Sequence, residues 1–243
     1  MPERRAASAT ASELLGILAL VAVVGGAVAG TFEWVPGFIG FRIFGLGLLL
    51  GVLTLLLGLI GLLRTRAGSG RLGRGRAVTG CLIGGALFVT LLVLAAPGRN
   101  LPAINDITTD VEDPPELVAA AEHAPNRGRD LSYPGESFAA QQRQGYPDLA
   151  PLRRDASVEQ TFDDALAAAE KLGWTIVARD RAAGTFEAFE ETSFFHFVDD
   201  VVVRVRPDGD NGSRVDVRSK SRDGKGDIGA NAARIRALFA ELD

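Results

Sequence analysis

The chain has 243 residues, of which 47% are hydrophobic and 29 are glycine. Residues 1–96 carry 8 basic and 3 acidic side chains, whereas residues 97–243 carry 18 basic and 27 acidic ones, a net charge of −9. This split excludes one soluble domain of ordinary composition, and the single cysteine, Cys81, excludes an internal disulfide framework or a multi-cysteine metal site. We therefore expect the two parts of the chain to lie in different solvents.

Three uncharged, apolar stretches follow a short N-terminal segment, residues 1–13, that we expect in the cytoplasm. They cover about residues 14–32, 43–63 and 77–96. Each is long enough to cross a hydrocarbon core of about 30 Å as an α-helix. Each also contains two glycines four positions apart: Gly26/Gly30, Gly47/Gly51 and Gly80/Gly84. These pairs either let helix backbones approach closely in lipid or simply reflect the abundance of glycine.

The basic residues predict how the helices are oriented, because loops rich in Lys and Arg stay in the cytoplasm. The loop between the second and third helices carries five arginines: Arg64, Arg66, Arg71, Arg74 and Arg76. Arg4 and Arg5 place the N-terminus on the same side, so three spans export residues 97–243. The first stretch also resembles a signal peptide with a cleavage site at Ala27–Ala29, and cleavage there would leave the C-terminal part on the same side. The predicted location is a bacterial inner membrane, spanned several times, with the C-terminal domain on the periplasmic side.

Residues 97–156 contain eight of the 11 prolines. Proline opposes regular secondary structure, yet this stretch also carries apolar side chains that are typical of packed chain. We expect an extended segment that wraps the following domain. Pro115 is suited to open a short helix running through Ala121, since proline fits the first helical turn.

Residues 157–243 are predicted to form the folded domain. Ser157 and Gln160 are typical of a helix N-terminus, and Gly173 ends the amphipathic helix that follows. The predicted strands cover residues 174–180, 185–192, 194–198, 200–206 and 213–222. A second helix is predicted to begin near Asp227 or Ile228, with Ile228 on its apolar face. The fold class is thus an α-helical membrane region followed by an α+β domain, an antiparallel sheet with two helices packed on one face.

Alternation along the last strands assigns side chains to the two faces of the sheet. Five valines project toward the helices: Val201, Val203, Val205, Val215 and Val217. The opposite face collects mostly basic side chains: Arg204, Arg206, Arg214, Asp216, Arg218, Lys220 and Arg222. We expect Glu187 and Glu191 on this surface as well. The favoured interpretation is a solvated lattice of ion pairs, and the alternative is a surface that binds anions.

Two local patterns suggest chemistry without specifying it. His196, Asp199 and Asp200 could ligate a metal, and Ser193 lies nearby for a hydrolase-like grouping. No pattern places the other histidine, His123, with them. The acidic turn at residues 208–212 resembles a calcium loop but lacks the later oxygen ligands, so it is interpreted as a hairpin turn.

A glycine-rich turn at residues 224–229 matches G-x-G-x-x-G, which is a weak signal by itself. Its amides and the following helix could hold an anion with help from Arg222 or Lys225. Asp227 opposes this, because its carboxylate would occupy the same amides and repel a second negative charge.

Three runs of sequence resemble the bacterial and plastid family called domain of unknown function 1499. They are DDVVVRV at 199–205, VDVRSKSR at 215–222 and GDIGANAARI at 226–235. Residues 105–110 and 146–148 are similar to its upstream pattern, so the resemblance covers about residues 101–242. It implies a membrane-anchored bacterial member and no particular activity. If the signature marks a binding site, the candidates are Asp200, Arg204, Arg218, Ser219, Ser221, Arg222, Asp227, Asn231 and Arg234.

The alternative is that these polar residues only hold the fold, with Asp200 and Asp227 paired to arginines and Asn231 bonded to a loop carbonyl. The leading functional hypothesis is a non-catalytic binding or scaffold module without a cofactor or resident metal. Its expected partners are the lipid bilayer and either a protein or a small anionic ligand. Nucleic acid is disfavoured by the net charge of −9. The second hypothesis is a membrane-tethered, hydrolase-like or metal-dependent enzyme using Asp199, Asp200 and His196.

Overall fold

The computed structural model describes residues 4–243, so the first three residues of the predicted cytoplasmic segment lie outside the described residues. The chain divides into two compact units. The helical unit runs through Pro97 and also includes Ser193–His196. The sheet unit comprises Gly98–Thr192 and Phe197–Asp243.

The helical unit contains the three predicted helices, α1 (Ala7–Thr31), α2 (Gly37–Arg64) and α3 (Arg74–Ala95). Their most apolar 18-residue windows have mean hydropathies of 2.3, 2.7 and 2.4, and each helix is long enough to span a bilayer. Each begins earlier in the chain than its apolar stretch. Strand β1 (Arg4–Arg5) pairs in parallel with β2 (Arg71–Leu72). The three apolar helices are those of a membrane protein.

The paired glycines lie where the helices touch. A Cβ on Gly26 would fall 2.5 Å from the backbone nitrogen of Phe44, and one on Gly84 would fall 2.5 Å from that of Leu55. Gly47, Gly51 and Gly80 are similarly crowded by neighbouring helices. The close-approach interpretation is therefore confirmed, since a larger side chain at these positions would push the helices apart.

The sheet unit is built on six antiparallel strands. They are β3 (Asp106–Thr108), β4 (Leu152–Arg154), β5 (Thr175–Asp180), β6 (Thr185–Glu191), β7 (Val198–Asp208) and β8 (Gly212–Ser221). The order is β3-β8-β7-β6-β5, and β4 also pairs with β8. The predicted strand at 194–198 is wrong, because Ser193–His196 cluster with the helical unit and β7 begins at Val198. Residues 208–212 form the predicted hairpin turn.

Four α-helices and a 3-10 helix at Ala124–Asn126 complete the sheet unit. The α-helices are α4 (Val118–Glu122), α5 (Glu136–Gly145), α6 (Val158–Lys171) and α7 (Ala230–Leu242). The predicted start of α6 is confirmed, since the Ser157 hydroxyl accepts a hydrogen bond from the Gln160 amide at 3.2 Å. The predicted start of α7 is wrong by two or three residues. Ile228 precedes the helix with a φ of 53° and is 56% exposed, so it does not lie on the buried face.

The main core lies between the sheet and the pair α6 and α7, which confirms the predicted helix-covered face. The five inward valines are buried, and they share one cluster with Phe162 of α6 and Ile235 of α7. Because successive side chains of a strand point to opposite faces, valines at every second position form a single apolar layer on this face.

Residues 98–156, named here the wrapping segment, belong to the sheet unit and contain regular secondary structure. Ile104, Ile107 and Tyr146 enter the main core, and α4 packs on the opposite face near Val202. The segment contains β3, α5 and β4, none of which was predicted. The short helix begins at Val118 rather than at Pro115. The sheet is therefore covered on both faces.

Candidate binding site on the sheet

The nine candidate residues of the signature do not form one cluster. Those on the helix side of the sheet are Ser219, Ser221, Asn231 and Arg234, with Asp227 at the start of α7. Those on the opposite face are Asp200, Arg204, Arg218 and Arg222. The register of β7 and β8 separates them as alternation predicts.

On the helix side, Arg234 is the centre of a buried polar network. Its guanidinium donates to Asp199 Oδ2 at 2.6 Å, to Asn231 Oδ1 at 2.7 Å and to Ser219 Oγ at 2.9 Å. Its Nε also pairs with Glu190. All four partners of the guanidinium belong to the sheet unit, so Arg234 holds α7 onto the strands.

Asn231 links α7 to β8 and to the segment before β3. Its side-chain oxygen accepts from Ser219 Oγ at 2.6 Å, and its Nδ2 donates to Ser221 Oγ at 2.9 Å. Nδ2 also donates to the Asn105 carbonyl at 3.2 Å. The predicted bond from Asn231 to a loop carbonyl is confirmed, and both serine hydroxyls are engaged in structure.

Asp227 caps α7 with both carboxylate oxygens. Oδ1 accepts from the Gly229 amide at 2.9 Å and Oδ2 from the Asn231 amide at 2.8 Å. The prediction that this carboxylate occupies the glycine-rich turn is confirmed at the Gly229 amide, whereas the expected pairing of Asp227 with an arginine is wrong among the described residues. A second anion would meet its negative charge, so the turn is a cap rather than an anion site.

On the opposite face, Arg218 and Asp106 form a buried ion pair. The guanidinium donates from Nε and Nη2 to the two carboxylate oxygens at 2.9 and 2.8 Å. It also donates to the carbonyls of Pro115 and Leu131, and Lys220 is the second cation on Asp106. The Arg218 guanidinium, which is 2% exposed and donates four hydrogen bonds, positions the wrapping segment on β8.

Asp200 is held in the same way. Arg222 donates to its two carboxylate oxygens at 2.9 and 2.6 Å, and Asn126 Nδ2 donates to Oδ2 at 2.8 Å. The guanidinium carbon of Arg222 lies 5.3 Å from the centre of the Phe189 ring. The predicted pairing of Asp200 with an arginine is confirmed.

Arg204 belongs to the predicted lattice of ion pairs. Arg204, Arg206 and Arg214 all pair with Asp216, which is fully buried, and with Asp110 of the wrapping segment. The lattice is confirmed, and it is partly solvated: Asp216 is buried, whereas the side chains of Arg206 and Asp113 are 34% and 61% exposed. At its rim, the hydrogen bond from Arg206 and the charge of Arg204 hold the pKa of Asp113 below its usual value of 3.8.

Glu187 lies on this face as predicted, where its carboxylate accepts the amides of Val118, Ala119 and Ala120 at 2.8–2.9 Å. A buried carboxylate that satisfies three free N–H groups fixes the first turn of α4 to β6. Sequence reasoning missed this role, because the partners are 67–69 residues apart.

The residues of the enzymatic hypothesis are divided between the two units. Asp199 and Asp200 are bound by arginines of the sheet unit, whereas His196 belongs to the helical unit, with its Nε2 at 3.0 Å from the Thr31 carbonyl oxygen. Across residues 4–243, no three His, Cys, Asp or Glu side chains are grouped so that they could hold a metal.

Two grooves flank α4 on the outer face of the sheet. The α4–β5 groove has a volume of about 550 Å³ and lies between α4 and strands β5 and β6. The second, about 710 Å³, lies between α4 and the segment containing Leu131 and Tyr133. Val118 is 59% exposed and lines both. Burial raises the pKa of Tyr133 in the second groove to about 12. Neither groove was predicted, since both depend on where the wrapping segment docks.

The signature residues and the wrapping segment together also match a known family. A family model described as "Protein of unknown function (DUF1499)" matches residues 106–242, more than half of the chain. The chain belongs to this family. The DUF1499 region begins at Asp106, the carboxylate that holds Arg218, and so includes both grooves. The resemblance seen in the sequence is confirmed. A search of curated proteins finds no match.

Proposed function

We propose that this protein is a membrane-tethered binding module whose DUF1499 domain lies on the periplasmic side of a bacterial inner membrane. The argument for the side is electrostatic: a loop with five arginines joins α2 and α3, and basic loops stay in the cytoplasm. The pairing of β1 with β2 supports it, since it joins residues before α1 to that loop. Three spans then lead the chain to the opposite side.

The observation that carries the binding role is the combination of a rigid, internally bonded sheet with two open grooves beside α4. The arginines and carboxylates of the signature bind one another, as Arg218 binds Asp106 and Arg222 binds Asp200. They fix α4 and its neighbours, whereas exposed side chains such as Val118 face the grooves. A preorganised frame with exposed concave surfaces is typical of a recognition domain.

A photo-crosslinking residue at Val118 tests this function in intact cells. The expected result is a specific crosslinked partner from position 118 and none from a control position at Glu159, an exposed residue of α6. No specific product at position 118, together with hydrolytic turnover by the purified protein, would contradict the binding role.

A further inference from the structure

Among residues 4–243, the sheet has no strand beside β5 on its outer edge. Strand β5 pairs there only with β6, so alternate residues of β5 turn their N–H and C=O groups away from the sheet. A register shift between Ile176 and Ala178 disturbs the first half of β5, as bulges do at protected edges. Residues 178–180 are the regular stretch at which another extended chain would pair.

The α4–β5 groove runs beside that stretch. Ala178 and Asp180 line it from β5, and Val118 and Ala119 add apolar surface above the buried Val202. An added strand would direct every second side chain toward this groove. The groove therefore supplies specificity to an edge that by itself would pair with any extended chain.

The rim of the groove is acidic. Glu116, Glu122 and Asp180 lie on it, and none of the three forms an ion pair with a side chain in the range 5–243. Asp113 differs, because Arg204 and Arg206 already pair with it. Three carboxylates around an apolar floor complement side chains that have an apolar stem and a positive head, as Lys and Arg do.

We propose that the β5 edge and the α4–β5 groove bind an extended basic segment of a partner protein. Its backbone pairs with residues 178–180, its Lys or Arg stems lie on the apolar floor, and its charges meet Glu116, Glu122 and Asp180. This inference rests on the proposed binding function and names its partner. A second copy of the chain is a poor occupant, because it would bring the same carboxylates together across the interface.

Fluorescence anisotropy on the full chain in detergent micelles tests the inference. The probes are three labelled peptides: alternating Lys and Val, alternating Glu and Val, and the Lys–Val peptide with alternate backbone nitrogens methylated. The Lys–Val peptide binds, and the other two bind at least tenfold more weakly, because one lacks the charge and the other lacks the N–H groups. The triple variant E116Q/E122Q/D180N weakens Lys–Val binding about tenfold, as three exposed ion pairs imply.

The matched control is D155N/E159Q/D210N, which removes three exposed carboxylates elsewhere on the same unit. It leaves binding within twofold, and unchanged thermal melting shows that both triple variants are folded. Equal weakening by the two triples, no Lys–Val binding, or dimerisation through the β5 edge would overturn the inference. A partner crosslinked at position 118 that lacks a basic segment would also overturn it, while leaving the proposed function intact.

Discussion

Replacing Arg218 by Met removes the cation from the most buried ion pair of the sheet unit. Met keeps much of the apolar stem, so the variant tests the charge and its hydrogen bonds rather than the packing. Asp106, which is 0% exposed, keeps only Lys220 at 2.9 Å, and the carbonyls of Pro115 and Leu131 each lose a donor.

The free energy of unfolding should fall by about 3 kcal/mol, the lower end of the cost of breaking a buried ion pair, because Lys220 still pairs with Asp106. The chain provides a matched exposed pair, Arg236 with Asp148, whose two hydrogen bonds of 2.7 and 2.8 Å have the same geometry. These side chains are 46% and 53% exposed, so R236M should cost only about 0.2–1 kcal/mol.

Urea unfolding of the purified full chain measures both values. The chain has two tryptophans, and replacing Trp34 by Phe leaves buried Trp174 as the reporter of the sheet unit. The triple variant D106N/R218M/K220M should recover more than about 1 kcal/mol relative to R218M/K220M, because no charge of this cluster is then left buried without a partner. Equal costs for R218M and R236M would refute the argument that burial decides the strength of these pairs.

Three further predictions concern other parts of the molecule. Burial, reinforced by the charge of Asp227, raises the pKa of Tyr146 to about 12, so the stability that its neutral phenol contributes is complete below pH 10 and is lost between pH 10 and about 12. Near-ultraviolet titration of the two tyrosines should therefore show no phenol ionisation at pH 10, and half-ionisation of either tyrosine at that pH would contradict the prediction. Replacing Ile228 by Gly should raise the free energy of unfolding by up to about 1 kcal/mol in urea melts, because glycine adopts the positive φ of this exposed position without the strain of a β-branched side chain. A lower free energy of unfolding for I228G would contradict the presence of strain. In α3, G84V should lower the thermal melting temperature of the helical unit in detergent, whereas G85V, which meets nothing within 4 Å, should not; equal effects would exclude the packing role of Gly84.

Local periodicity was sufficient to predict much of the fold. The apolar stretches predicted α1–α3, and the alternation of valines in β7 and β8 predicted which face the helices cover. The capping pattern at Ser157 predicted the start of α6 to the residue. In each case the pattern that predicts the element spans neighbouring residues, so a single sequence is enough to recognise it.

Contacts between distant residues could not be predicted in this way. Arg218 and Asp106 are 112 residues apart, and nothing near either residue indicates the other. Helix α5 was missed because its sequence is polar, with only Ala139 and Gln142 fully buried. The two grooves depend on these long-range contacts, which is why the candidate binding surface became visible only in the structure.

The side of the membrane on which the sheet unit lies is the claim that the functional account needs most. It can be measured with single cysteines in a C81A chain, one at Asp210 in the exposed turn between β7 and β8 and one at Ser69 in the basic loop. In intact cells, a membrane-impermeant maleimide should label D210C, and it should label S69C only after the membrane is opened. Labelling of S69C in intact cells, with D210C protected until lysis, would contradict the account.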